Sequence, residues 1–427
     1  MKALILLLAV AACTDTRKAD TRTQSIQVEL VSPADPGTIG ARLPDTARTV
    51  SLKLTALGFD GQPDTTFNRS LQVYIQFLGT LSPYINDGPL TTVQMSNGTG
   101  TLSNFMLPPV FGPTVVWFED GCYQDFTGSA TAPCANGGPF TYATGSSPTL
   151  WFRDPFIFDI RYSETLPDPF GTGPIDSKNV TVLGEPGPPQ TFSSRYGALG
   201  RLVITSKYAQ GYTLADVKCQ DSNGTPPCDF TPPLNAAGQP LLPTIDGFNI
   251  GYDSIDIYSY SAPLDQEKRF LNEGQTVDGF SGGVSEFDGL LEIGFPQTFV
   301  NCTTGSANCP DVNVSREPPP VKVDPTWFTN PALFKRFESH NVEIDNAAIC
   351  NLDSAYDQYK EWHLDLSGTG GNCTGNLVDV VSAGIFDPTP YIGMKLPKII
   401  GNERSINIGT FHVFIIYPRS MADITLP

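Results

Sequence analysis

Val50-Ser51-Leu52-Lys53-Leu54-Thr55-Ala56 places an apolar residue at every second position, the period of a strand with one buried face. The alternation stops at Asp60-Gly61-Gln62-Pro63, four residues that favour a turn. Val73, Ile75 and Phe77 repeat the pattern, and Val93 and Met95 run into Asn97-Gly98, a hairpin dipeptide. Val115-Val116-Trp117-Phe118 closes the set. Strands this short at this spacing predict a β-sandwich over residues 24–120.

The whole chain carries the same signature. Its 427 residues suffice for several domains, each with its own core. Only 16% of residues are charged, 40 are Gly and 38 are Pro. Aromatic and β-branched residues gather in short runs between turn formers, which favours strands over helices. We therefore expect an all-β protein with few short helices.

Residues 121–196 read as a disulfide loop, a β segment and a linker. Pro148-Thr149-Leu150-Trp151-Phe152 and Phe156-Ile157-Phe158-Asp159-Ile160-Arg161 supply strand candidates there. From 197 to 300 five strands are expected: Leu199–Ile204, Gly211–Asp216, Ile255–Tyr260, Leu271–Gly279 and Val284–Ile293. A Cys/Pro-rich linker spans 301–320. Over 321–427, Asn330-Pro331 starts a short helix through Glu338, and strands fall at Val342–Ile344, Trp362–Leu364, Val378–Val381 and Phe411–Ile415.

Several of these stretches resemble known modules. Asp60-Gly61-Gln62-Pro63-Asp64 followed by Asn97-Gly98-Thr99-Gly100 resembles bacterial Ig-like domains over residues 24–120. The strand and glycine order of 197–300 resembles the OB-fold modules that accompany extracellular nucleases of the endonuclease/exonuclease/phosphatase family. Gly274-Gln275 stands where that family has Gly-Asp, and the Cys219/Cys228 insertion enlarges the loop after the second strand. Pro418-Arg419-Ser420, with Asp423-Ile424, resembles the end of a second such module. The resemblance implies two OB-like barrels over about residues 197–427. No segment has the length or pattern of the nuclease domain itself.

The first residues carry an address. Lys2 precedes an uncharged apolar run, Ala3–Ala12, too short to cross a bilayer but fitting a secretory signal over residues 1–12. Val10-Ala11-Ala12-Cys13 resembles the bacterial lipobox, which implies cleavage before Cys13, acylation of that residue (palmitate among the chains) and a polar tether over 13–23. An ordinary signal peptide with cleavage nearby is the other reading. Thr14, where inner-membrane retention uses Asp, favours the outer membrane within the cell envelope. Removing Cys13 leaves eight Cys, an even number suited to disulfides in an oxidising compartment. The expected pairs are neighbours: Cys122 with Cys134, Cys219 with Cys228, Cys302 with Cys309, and Cys350 with Cys373.

Catalytic signals are weak. Gly279-Phe280-Ser281-Gly282-Gly283 matches G-x-S-x-G, which needs a strand, a sharp turn and a helix, whereas the residues after Gly283 alternate as a strand. Three His (His340, His363, His412) are few for acid–base chemistry. Asp353 and Asp357, and Glu119, Asp120 and Asp125, read as solvated acids rather than a converging calcium cage. No catalytic residue, metal or cofactor is expected.

Net charge is −18. Residues 199–298 hold five Lys/Arg against thirteen Asp/Glu, and 321–427 hold eight against twelve. A groove that tracks phosphates needs the opposite sign, so nucleic acid is disfavoured as a partner. Tyr208, Tyr212, Tyr258 and Tyr260 are the candidate ligand contacts, able to stack on sugar rings or a protein partner. The expected function is a non-catalytic envelope lipoprotein presenting binding or scaffolding modules. A binder of extracellular polymers, carbohydrate before nucleic acid, comes second and a secreted hydrolase last.

Overall fold

The computed structural model describes residues 23–44, 47–77, 89–108, 110–120, 143–162, 173, 175–184, 190–235, 237–300, 311–368, 371, 373, 375–382, 384–404, 406–408 and 411–427. The signal segment with Cys13, and Cys122, Cys134, Cys302 and Cys309, lie outside the described residues. The protein is all-β with three short α-helices among the described residues, none long and apolar enough to cross a membrane. It divides into two compact units, Met1–Arg153 and Asp154–Pro427.

The first unit contains β1 (Thr23–Ser32), β2 (Thr49–Gly58), β3 (Ser70–Phe77), β4 (Thr91–Gln94), β5 (Thr99–Met106), β6 (Pro113–Asp120), β7 (Thr144–Ser146) and β8 (Leu150–Trp151). Their order, β4-β3-β6-β7-β1-β2-β5, is that of an Ig-like sandwich. β1, β2 and β5 form one antiparallel layer, and β4, β3 and β6 the other. β7 joins them by pairing antiparallel with β6 and parallel with β1. The alternation that opened the sequence is the inward face: Val50, Leu52, Leu54 and Ala56 are fully buried, as are Leu71 and Val73 on β3 and Val116 and Phe118 on β6. Asn97 and Gly98 both adopt positive φ, the geometry a two-residue hairpin demands. A Cβ on Gly98 would lie 2.2 Å from the Asp64 carbonyl oxygen, so the turn also needs its missing side chain.

Phe156–Arg161 corrects the strand expected there. Ile157–Arg161 is a helical turn, α1, because the Asp159 carboxylate accepts the Phe156 amide at 2.8 Å and closes the first turn. Its buried residues Ile157, Phe158, Ile160 and Arg161 belong to the second unit.

That unit holds two barrels. The first uses β9 (Asn179–Leu183), β10 (Gly200–Tyr208), β11 (Gly211–Lys218), β12 (Ser254–Tyr258), β13 (Thr276–Val277), β14 (Gly279–Phe287) and β15 (Leu290–Phe299). β10, β11 and β12 run antiparallel, β12 lies parallel to β15, β15 returns against β14, and β13, immediately ahead of β14 in the chain, pairs with β10 over two residues. This is the Greek-key order of an OB-like barrel. The fourth and fifth strands are displaced from their expected positions, since the chain reverses at Asp288-Gly289 rather than at Gly282-Gly283. Cys219–Cys228 is a disulfide, packed with Val203, Ala215 and Val217 at the root of the insertion after β11.

The second barrel contains β16 (Val321–Val323), α2 (Ala332–Phe337), β17 (Asn341–Ile349), α3 (Ser354–Tyr359), β18 (Glu361–Asp365), β19 (Leu377–Val381), β20 (Lys395–Glu403), the hairpin β21 (Ile406–Ile408) and β22 (Phe411–Val413), β23 (Ile415–Tyr417) and β24 (Ile424–Thr425). β17-β18-β19-β23-β20 closes back on β17, again with the third and last strands parallel. Trp327, Leu333 and Phe337 plug one end of its core. Phe248, from the insertion of the first barrel, packs edge-on against Trp327 and Phe337. Cys350–Cys373 is the second disulfide among the described residues.

Buried charge joins the barrels. The Arg161 guanidinium donates to the carbonyls of Ser254 and Glu338, both at 2.7 Å, and of Lys335 at 2.6 Å, and pairs with the Glu338 carboxylate at 3.3 Å. Lys335 bridges Glu338 at 3.0 Å to Glu286 at 2.9 Å. Removing one member of such a set leaves the others charged and dry. Glu338→Ala is therefore expected to cost about 3–5 kcal/mol, read as a lowered urea midpoint for the full chain. An unchanged midpoint would show that the cluster does not hold the barrels.

Candidate functional site

OB folds usually bind ligands on their second and third strands and adjoining loops. In the first barrel this face is covered. Every residue of β11 from Gly211 to Val217 is buried, although Thr213 and Asp216 are polar. The covering groups come from the second barrel: Asn402 reaches Thr213 at 3.3 Å, and Asn341 and Arg419 donate to the Thr205 carbonyl at 3.1 and 2.9 Å. Tyr212 lies on the other face of β11, where it is 1% exposed and its hydroxyl is bonded at 2.6 Å to Thr298 on β15 of the same barrel. Tyr208 is also committed, donating to Asp256 and lying under the Arg404 guanidinium at 4.3 Å.

Tyr258 and Tyr260 emerge at the end of that face. They line a cleft of about 400 Å³ with Phe287, Asp288, Leu290 and Glu292 of the first barrel and Arg404, Ile406 and Tyr417 of the second. Tyr258 and Tyr260 meet edge to face, 4.4 Å apart, and Tyr260 stacks on Phe295 at 4.7 Å. Tyr260, Phe287 and Phe295 are 49%, 65% and 81% exposed. An apolar surface of this kind at a cleft mouth marks a contact site.

A bulge presents Phe295. Ser281 pairs with Gln297 and Gly283 with Gly294, so Phe295 and Pro296 together oppose Gly282. A Cβ on Gly282 would lie 2.5 Å from Ile293, which explains the glycine. Ser281 sits within extended backbone, paired with Thr181 on one side and Gln297 on the other. The strand–turn–helix geometry of a nucleophile elbow does not occur there.

The cleft floor is ionic. Arg404 pairs with the fully buried Asp256 at 2.5 Å, donates to the Tyr208 hydroxyl at 3.1 Å, and faces the Tyr417 ring at 5.4 Å. Burial opposes its charge, but Asp256 holds the guanidinium above its ordinary range. Glu292 is 8% exposed and makes no ion pair among the described residues. Burial, and then the Asp256 charge, push its carboxyl up to about 7, against Arg404 and a hydrogen bond from Ser285.

The equivalent face of the second barrel is open and acidic. His363 on β18 bonds Asp379 on β19 at 2.5 Å and Asp353 at 3.3 Å, while Asp353 caps α3 through the Ala355 amide. The Asp379 hydrogen bond leads in raising His363 to about 9, burial opposes it, and Asp353 adds to it. Burial and the Asp379 charge raise the neighbouring Glu361. His340, by contrast, is buried between Phe230 and Phe337, and burial and the Arg161 charge push it down to about 3. His412 lies in β22 opposite Asn407. No group of three His, Cys, Asp or Glu among the described residues is arranged to hold a metal.

Three residues that line the cleft, Phe287, Glu292 and Arg404, and Phe295 stacked on Tyr260 beside it, are not among the candidate contacts that the sequence offers. Phe287 had a local signal, the turn Asp288-Gly289 beside it. Arg404 had none, because its partners lie in the other barrel. No protein-family model, no curated protein and no solved structure matches this chain.

His363 titrates higher folded than the ordinary 6.5, so its contribution is complete below about pH 6.5 and is lost as pH rises through about 9. His363→Gln should lower stability by about 1 kcal/mol, discounted for partial exposure, at pH 5–6, with the deficit shrinking as pH rises through about 9 and gone above pH 10. Denaturant midpoints across that range test it; a deficit independent of pH would refute the protonated clamp.

Proposed function

We propose that this chain is a cell-envelope lipoprotein that presents non-catalytic binding modules, with the cleft between its OB-like barrels as the ligand site. The observation that carries the reading is the Tyr260–Phe295 stack, exposed at the mouth of a cleft with three further aromatic walls. Exposed stacked rings have no packing role and offer flat apolar faces to a ligand. The two buried ionic groups in the floor then supply orientation. The anchor in this reading is Cys13, on the lipobox-like Val10-Ala11-Ala12-Cys13. The likeness to modules accompanying extracellular nucleases adds to it, since those modules act as accessories rather than as the catalytic part.

Carbohydrate or a protein partner suits this surface better than nucleic acid. Glu361, Asp379 and Asp353 line the open face of the second barrel, and Glu292, Asp256 and Asp288 surround one guanidinium in the cleft. Phosphates would be repelled at both.

Two measurements test the reading. On a glycan array, wild type should give signals that fall at least tenfold in Tyr260→Ala/Phe295→Ala, while duplex and single-stranded DNA bind weakly at 150 mM salt. Tight, salt-sensitive DNA binding would overturn the electrostatic part. Metabolic labelling with an acyl probe should mark wild type and leave Cys13→Ala unlabelled; a labelled variant would refute Cys13 as the attachment point.

A further inference from the structure

We infer that the cleft between the barrels recognises an alkylammonium group, held between the aromatic faces and against the Glu292 carboxylate. This deepens the binding function proposed above and rests on it. Three observations lead there. The walls are aromatic: Tyr258, Tyr260, Phe287 and Tyr417 surround one space. Ring faces are electronegative and attract a cation that has shed water, and amine-bearing ligands are bound in this way. The floor also carries unbalanced negative charge. Among the described residues Arg404 is the single cation lining the cleft, and it is consumed by Asp256, Tyr208 and Tyr417. Glu292 and Asp288 are left facing the cavity without an ion-pair partner among the described residues.

Glu292 is the informative residue. Charge on a residue that is only 8% exposed is costly unless something compensates it. The groups around it do not provide a cation. Asp256 approaches from β12, Tyr208 from β10, Ser285 from β14 and Asp288 from the adjoining loop, while Arg404 enters from beyond β20 already paired. The result is a carboxyl raised to about 7, poised between its neutral and charged forms. A neutral sugar would gain little from this arrangement. An ammonium group would convert Glu292 to its charged form, releasing a proton at neutral pH, and would sit where ring quadrupoles and carboxylate act together.

Two sources share this chemistry, a lysine side chain on a protein partner and an amino sugar in a polymer. The test uses the full chain with saturation-transfer NMR and butylammonium, with butanol as the neutral isostere. Butylammonium should bind and butanol should not. Its affinity should rise roughly tenfold between pH 6 and pH 8, following the ionised fraction of a carboxyl titrating near 7. Glu292→Gln should remove both the preference and the pH dependence, and Tyr260→Ala, at an exposed position, should weaken binding without unfolding the chain. Nα-acetyl-lysine methylamide and a glucosamine hexamer, compared at pH 7, distinguish the sources, and tighter binding of either supports the inference. Equal binding of butanol, or a preference retained in Glu292→Gln, would overturn it. Neutral glycans lost in Tyr260→Ala would then leave the wider binding function standing. No response from any probe or glycan would overturn both.

Discussion

Arg161 occupies the position on which the second unit depends. Its guanidinium has 1% of its side chain exposed, and stripping a cation of water to that degree is among the costliest steps in folding. It is tolerable here because three carbonyls and a carboxylate surround it, drawn from both barrels. Lys335, one turn before Glu338, repeats the arrangement by donating to Glu286, Glu338 and the Gly289 carbonyl. The full set of partners exists only when both barrels are in place. The cluster thus specifies one relative placement rather than adding generic attraction, which is what buried ionic groups do best.

That placement decides where a ligand can go. Docking of the second barrel covers the middle of the first barrel's second and third strands, and only the ends of these strands remain accessible. There Tyr258 and Tyr260 meet Glu292 and the loop at Asp288, and the second barrel adds Arg404, Ile406 and Tyr417. A surface that would be broad on an isolated barrel becomes a walled cleft. The two walls come from different barrels, so the geometry of the cleft is as rigid as the ionic junction behind it.

Much of this fold could be read before the structure. Val50–Ala56 alternates because one face of β2 is buried, and Asn97-Gly98 turns because both residues tolerate positive φ. Local pairs such as Cys219 with Cys228 and Cys350 with Cys373 lie close enough in sequence for their bridging to be anticipated. Other elements were hidden because distant contacts override the local pattern. Phe156–Arg161 alternates like a strand, yet Asp159 closes a helical turn and Arg161 finds partners near residue 338. Lys395–Glu403 forms the fourth strand of the second barrel although Pro397 breaks its strand signal; β17 has its positive-φ residue, Asn346, where Pro397 needs no partner. The candidate tyrosines show the same division. Four residues of one type lie on or beside adjoining strands, but only long-range neighbours, such as Thr298 on β15 beneath Tyr212, decide that Tyr212 is sealed while Tyr260 is open.

The separation between Arg161 and Glu338 also orders events in time. The two residues are 177 positions apart in the chain. At a synthesis rate of about 5–20 residues per second, roughly ten to thirty-five seconds pass between their appearances. Through most of that interval the strands of the first barrel, β9 to β15, are themselves still being made, and α1 lacks the Lys335 and Glu338 acceptors for its guanidinium. The ionic junction of the first barrel is therefore completed only after residues 335–338 have emerged. The groups that cover its second and third strands come from the last quarter of the chain, so the packing between the barrels is the last part of this unit that synthesis makes possible.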